Sequence, residues 1–67
     1  VSDFEFKSIE ESILYLLKIS PLAVETLIDR LHQGTPEQRL KVIGFLMDNG
    51  RLVMGTHDQL RLNDSSS

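Results

Sequence analysis

The 67-residue chain has no cysteine, no tryptophan and two prolines, and its seven lysines and arginines are outnumbered by ten acidic residues. Without cysteine there is neither a disulfide framework nor a cysteine-ligated zinc site. The longest apolar run, residues 13–17, is far shorter than the ~20 residues of a membrane span. The net charge of −3 offers little of the basic surface that a strong nucleic-acid binder needs. We therefore expect one small domain, and an intracellular protein because the sequence shows no signal-peptide pattern.

A first helix is indicated by apolar residues that recur every three or four positions. Ser8 and Glu11 form a capping-box pattern, in which two side chains bond the backbone at a helix start. The spacing after them predicts a helix over residues 9–18. Residues 1–7 are expected to form a leader that can place one aromatic side chain against the domain.

Two further helices are predicted. The second covers residues 24–31, and Gly34 is expected to end it in a left-handed conformation. The third covers residues 36–49. Its start is indicated by Thr35 as N-cap, by a proline at the first helical position and by Gln38, which completes a capping box.

After Gly50, which is expected to end the third helix, the apolar period changes to two. Residues 51–54 and 59–62 therefore have the pattern of two strands, and a tight turn is predicted at residues 55–58. Leu22 is placed to add a short third strand to this hairpin.

Three helices followed by a β-hairpin are the order of a winged helix-turn-helix, an α+β fold. We assign residues 8–62 to this domain and residues 63–67 to a polar tail. The apolar spacing predicts a core of Ile9, Ile13, Leu16, Leu17, Val24, Leu27, Ile28, Leu31, Ile43, Leu46 and Leu52.

The third helix matters most for function, because it is the helix that enters the major groove when such a domain binds DNA. Leu40, Ile43 and Met47 are predicted to share its apolar side, which Val42 and Leu46 extend. Phe45 falls on the opposite side, where an aromatic ring either packs under the hairpin or belongs to a contact patch. We expect packing, because most such residues of a small domain join the core.

One hypothesis is the DNA-binding domain of a transcription regulator. Residues 35–61 carry a net charge of +1 against −3 for residues 1–34, a weak polarity in favour of this half. Three side chains would enter the groove and three would contact phosphates. They are Gln38, Arg39 and Lys41 in the groove, and Arg51, His57 and Arg61 on phosphates. An Arg39→Glu change would then weaken binding, whereas a protein-docking domain would tolerate it.

Three parts of the chain resemble a known family. Residues 13–21 read ILYLLKISP, apolar residues at 22, 24, 27 and 31 keep matching spacing, and residues 45–52 read FLMDNGRL. This pattern resembles the C-terminal winged-helix domain of the middle-sized subunit of replication protein A. The resemblance implies a nuclear, protein-docking module of a single-stranded-DNA-binding replication and repair complex, which captures helical segments of partner proteins.

The resemblance also implies a contact surface at the end of the third helix, the next strand and the wing. On this chain that surface consists of Asp48, Asn49, Arg51, Val53, Met54 and Asp58. The family has an acid at the position of Asn49, an aromatic at that of Val53, and a run of acids where residues 57–59 read HDQ. The surface is therefore less acidic here, which argues against a strongly basic partner helix.

Neither catalysis nor metal binding is expected. His57 beside Asp58 supplies residue types of a nucleophilic triad, yet a domain of this size has little concavity to hold a substrate. His32 and His57 have no companions at ligand spacing, so no metal or other cofactor is predicted. The lack of a pocket argues against a small-molecule substrate, and the lack of a basic amphipathic stretch argues against a membrane partner. Leu14 and Tyr15 lie off the apolar stripe of the first helix, which leaves homodimerisation as an alternative.

Overall fold

The computed structural model describes residues 3–63 and has an α+β fold with three helices and a three-stranded antiparallel sheet. The helices are α1 (Asp3–Ile19), α2 (Val24–Arg30) and α3 (Pro36–Asp48). The strands are β1 (Leu22–Ala23), β2 (Leu52–Met54) and β3 (Gln59–Leu62), with a tight turn at Thr56–Asp58 between the last two. The predicted order of helices and hairpin is confirmed.

The first helix begins earlier than predicted. It starts at Asp3, so the part of the expected leader from residue 3 onward is helical, and Ser8 lies inside the helix instead of capping it. Two features stabilise the extra turns. Asp3 and Glu5 place negative charge at the positive end of the helix dipole. Phe6 packs edge-to-face on Phe45 of α3, with ring centroids 4.9 Å apart, as expected for an aromatic side chain of this segment. Residues 1–2 of the leader lie outside the described residues.

Between α2 and α3, the predicted start of α3 is confirmed and the predicted end of α2 is corrected. The capping box is present: Thr35 Oγ1 accepts from the Gln38 backbone N–H, and the Gln38 side chain accepts from the Thr35 N–H. The second helix, however, ends at Arg30, because Leu31 turns to an extended conformation and its side chain is buried in the core. Gly34, with φ +65°, is left-handed as predicted but lies in the turn that follows, not at the helix end.

The sheet has the order β1–β3–β2, so β3 is central and β2 is an edge strand. Leu22 pairs with Leu60, which confirms the predicted third strand. Asn63, the first residue of the predicted tail, is bonded to the segment before β2: its backbone N–H donates to the Arg51 carbonyl at 2.9 Å and its side chain donates to the Gly50 carbonyl at 2.7 Å. Residues 64–67 of the tail lie outside the described residues.

The core lies where all three helices meet one face of the sheet. Its buried side chains are Ile9, Ile13, Leu17, Leu27, Leu31, Val42, Ile43, Leu46, Leu52 and Leu60. Eight of them were predicted. Three other predicted residues, Leu16, Val24 and Ile28, are partly buried and pack against this core.

One side of α3 was predicted wrongly. Leu40 is 53% exposed and Met47 is 37% exposed, because the buried side of α3 is centred on Val42, Ile43 and Leu46. At about 100° per residue, Leu40 and Met47 point roughly 100° away from the centre of this buried side. Phe45 packs on α1, not under the hairpin, and remains 48% exposed.

Candidate interaction surfaces

The side chain of Arg39, a predicted groove residue, is bonded to backbone carbonyls of other residues in the domain. Its Nε donates to the Gln33 carbonyl at 2.7 Å, and its terminal nitrogens donate to the carbonyls of Gly34 at 2.9 Å and Ile28 at 3.3 Å. These carbonyls lie in the last turn of α2 and in the turn that follows. Arg39 therefore fastens the start of α3 to the end of α2, and an Arg39→Glu change would break this connection whether or not the protein binds DNA.

The other two predicted groove residues differ in exposure. The side-chain oxygen of Gln38 accepts the Thr35 N–H at 2.9 Å. Bidentate recognition of adenine requires both the oxygen and the nitrogen of an amide, so the capping box competes with it. Lys41 is exposed, whereas Gln38 and Arg39 are partly buried. Only one of the three groove candidates is thus fully presented to solvent.

The exposed side of α3 has no cationic excess. Glu37, Lys41 and Asp48 lie on it, and their charges sum to −1. Phosphate binding depends on lysines and arginines that displace counterions. The net charge of −1 on this side of α3 therefore attracts DNA less than the net charge of +1 over residues 35–61 predicts.

The three predicted phosphate contacts lie on or beside the hairpin. Arg51 precedes β2, His57 is in the turn, and Arg61 is on β3 opposite Val53. All three side chains are exposed. Two exposed arginines, Arg51 and Arg61, are therefore available on or beside the hairpin.

The six residues that the resemblance implies follow one another from the end of α3 to the hairpin turn. Asp48 ends α3, and Asn49 caps it by donating from its side chain to the Phe45 carbonyl at 2.8 Å. On the edge strand β2, Met54 is 47% exposed and Val53 is partly buried. We call the set Asp48, Asn49, Arg51, Val53, Met54 and Asp58 the docking surface.

Two apolar residues of α3, which sequence reasoning placed on the apolar side of the helix, are exposed, and their availability to a partner was missed. Leu40 and Met47 point to the same side of the helix, and Gly44 lies between them. A Cβ placed on Gly44 would meet no atom within 4 Å. The helix therefore carries no side chain between Leu40 and Met47, which leaves room there for another backbone to approach.

A second exposed surface lies on α1. Tyr15 is 65% exposed and stands between two shallow concavities, of about 380 Å³ and 440 Å³. The smaller is bordered by His32 and Gln33 beyond the end of α2, and the larger by Leu14 and Leu62. Sequence reasoning noted that Tyr15 lay off the apolar stripe but had no signal for the concavities, because they depend on elements distant in sequence.

Residues 3–63 contain no group of three or more His, Asp or Glu side chains placed to hold a metal ion. None of their helices combines the length and apolar character that crossing a membrane requires. A comparison of the chain with protein-family models, curated proteins and solved structures found no significant match.

Proposed function

We propose that this chain is a winged-helix, non-catalytic protein-interaction module that docks helical segments of partner proteins on the docking surface. The succession of helices, the short strand before α2 and the hairpin after α3 support the winged-helix assignment. The resemblance to the docking domain of replication protein A supports a place in a nuclear single-stranded-DNA-binding replication or repair complex.

The exposed apolar side of α3 is the observation that carries the proposal. Leu40 and Met47 leave much of their side chains in water, although a domain of this size has little apolar surface to spare. An amphipathic helix binds in a groove through apolar residues at helical spacing, and Gly44 lets its backbone come close. Because β2 packs against α3, the exposed Met54 belongs to the same region of the molecule.

The charges of the docking surface favour a partner without strong net charge. Asp48 and Asp58 are offset by Arg51, and Lys41 lies one helical turn before Phe45 on α3. A strongly basic helix would meet both cations, and a strongly acidic one would meet both aspartates. We therefore expect a mixed-charge helix with an affinity on the order of micromolar, because the surface is small.

The alternative is a DNA-binding domain with α3 in the major groove. The exposed cations Lys41, Arg51 and Arg61 support it. The internal bonds of Gln38 and Arg39 weigh against it, because both side chains would have to leave their partners in order to reach base edges.

Amide chemical shifts distinguish the two functions. We would titrate the protein with three helical peptides that share one apolar face and are acidic, neutral or basic, and separately with a short DNA duplex at low and raised salt. The neutral peptide should shift the amides of Asp48 to Asp58 most strongly, and the duplex should shift none. Salt-sensitive shifts at Lys41, Arg51 and Arg61 with the duplex, and none with any peptide, would overturn the proposal.

Matched variants locate the binding. Met54→Ser should weaken peptide binding about tenfold or more, since an exposed apolar contact is lost. Phe4→Ser is the control, because Phe4 is even more exposed, at 82%, but lies on α1. Lys41→Glu replaces Arg39→Glu as the test of DNA binding, since Lys41 is exposed and DNA affinity would lose salt dependence with it.

A further inference from the structure

The outer side of α1 carries charges in a self-complementary order. Glu11 and Lys18 are seven residues apart, which places them on nearly the same line of the helix and ~10 Å apart along its axis. Leu14 and Tyr15 lie between them. We call these four residues the α1 face. Along the helix the order is Glu11, the apolar pair, then Lys18. In an antiparallel copy the order is reversed, so Glu11 of one copy lies opposite Lys18 of the other and the apolar pairs meet.

The shape of the α1 face matches the same arrangement. Tyr15 is mostly exposed and forms part of the wall of the 440 Å³ concavity, whose other lining residues are Glu11, Leu14, Lys18, Arg51, Leu62 and Asn63. A projecting ring next to a concavity on one molecule allows each of two molecules to insert its ring into the other. Residue i then contacts residue j and residue j contacts residue i, as a twofold interface requires.

We propose that the α1 face pairs with the α1 face of a second copy of this chain, with the two helices antiparallel about a twofold axis that passes between Leu14 and Tyr15. Glu11 of each copy then lies opposite Lys18 of the other, and each Tyr15 ring enters the other copy's concavity. This pairing does not depend on the docking surface, apart from Arg51 at the rim of the concavity.

The charge order and the shape together select a second copy as the occupant: the charges exclude strongly basic and strongly acidic partners, and the exposed ring beside a concavity matches a copy of the same face. A uniformly basic partner would meet Lys18, and a uniformly acidic one would meet Glu11, so either would place like charges together. The surface is small compared with interfaces of stable dimers, which bury at least ~1,200 Å² in total. We therefore expect a weak dimer, with a dissociation constant on the order of 10⁻⁴ M.

Charge-reversal variants test this pairing by sedimentation of the chain at low salt, at concentrations from about tenfold below to tenfold above that dissociation constant. Glu11→Lys places cation against cation, and Lys18→Glu places anion against anion. Each should weaken the dimer about tenfold or more, because two attractive pairs become two repulsive ones. An equimolar mixture of these two variants should associate again, as should the chain that carries both reversals.

Controls separate charge pairing from net charge and from folding. Glu25→Lys on α2 and Lys41→Glu on α3 make the same changes in net charge at exposed positions elsewhere, and they should leave the dimer unchanged. Circular dichroism of every variant verifies that it is folded, and Tyr15→Ser tests the inserted ring without altering charge.

Three results would overturn the pairing. The first is a wild-type chain that stays monomeric over the whole range of concentration. The second is association that persists in both single reversals. The third is loss of association in the single reversals without recovery in their mixture, since recovery follows only if Glu11 faces Lys18 across the interface. Concentration-dependent amide shifts on α3 instead of α1 would assign the association to the docking surface.

Discussion

The connection between α2 and α3 and the hairpin turn between β2 and β3 are built in opposite ways. The turn between α2 and α3 is held by side chains: Arg39 bonds three backbone carbonyls, Thr35 and Gln38 bond each other's backbone, and the Gln33 amide donates to Ser12 Oγ on α1 at 2.7 Å. Most of the side chains that sequence reasoning offers to DNA at this end of α3 are therefore already used within the chain.

The hairpin turn between β2 and β3 depends on its backbone. The Gly55 N–H donates to the Gln59 carbonyl at 2.6 Å, and the two residues before β3, His57 and Asp58, have positive φ angles of 61° and 57°. Their side chains are exposed, as is that of Thr56.

The contrast teaches where this molecule has side chains to offer a partner. At the α2–α3 turn, polar side chains are hydrogen-bonded within the domain, so their removal should affect stability more than binding. At the hairpin and the end of α3, the backbone sets the shape and side chains such as Met54 and Arg61 remain exposed. Three stability measurements sharpen this comparison.

The largest effect is expected at Arg39. Arg39→Met should lower the free energy of unfolding by about 2–4 kcal/mol, because three carbonyls lose charged donors. Arg39→Lys should also lower the free energy of unfolding, but by less than Arg39→Met, since an ammonium keeps the charge but cannot donate to several carbonyls at once as a guanidinium does. Arg51→Met, at an exposed arginine, should change the free energy by less than ~0.5 kcal/mol. Urea unfolding measures all three, and equal effects of Arg39→Met and Arg51→Met would contradict the assigned role.

A smaller loss is expected at Gly34. Its φ of +65° disfavours other residues, and a Cβ there would lie 2.6 Å from the Gln38 side-chain oxygen that serves the capping box. Gly34→Ala should therefore cost about 1–2 kcal/mol. Gly44→Ala is the matched control, because Gly44 lies inside α3 and a Cβ there would meet no atom within 4 Å. This variant should raise the free energy of unfolding by about 0.5–1 kcal/mol. Thermal unfolding distinguishes the two by opposite shifts of Tm, and a rise in Tm for Gly34→Ala would refute this account.

The smallest effect is expected in the hairpin turn, and it has the opposite sign. His57→Gly should stabilise the protein by about 0.5 kcal/mol, because relief of the left-handed conformation slightly exceeds the entropy that glycine adds to the unfolded chain. Asp58→Gly should gain less, since aspartate tolerates this conformation better. Thr56→Gly, at a residue without positive φ, should destabilise the turn. A loss of stability in His57→Gly would mean that its side chain holds the turn together.

Prediction from sequence succeeded where the signal was local and failed where it depended on distant contacts. The Thr35 capping box, the left-handed Gly34 and the hairpin after Gly50 each rest on a few neighbouring residues. The start of α1 was predicted too late, because the pattern at Ser8 is a valid cap in isolation and the packing of Phe6 on Phe45 is invisible in one segment.

The candidate site was predictable in part for the same reason. The order of charged and apolar residues on α3 was visible, yet the rotation of the helix was not, so Leu40 and Met47 were placed on the apolar side with Ile43 although they are exposed. Arg39 was assigned to DNA because an arginine side chain can make paired hydrogen bonds to a base edge in the major groove. Its bonds to Ile28 and Gln33 exist only because α2 ends at Arg30 and the chain turns back beneath it.

The sequence by itself determined the types and order of the elements, the cap of α3, the strand pairing and most of the core, because these follow from backbone preferences and apolar period over a few residues. Only the tertiary structure decided which side of α3 is buried, which arginine is consumed by the fold, and that Tyr15 stands beside a concavity. Those depend on how elements far apart in the chain pack, and packing sets the direction of each side chain relative to its new neighbours.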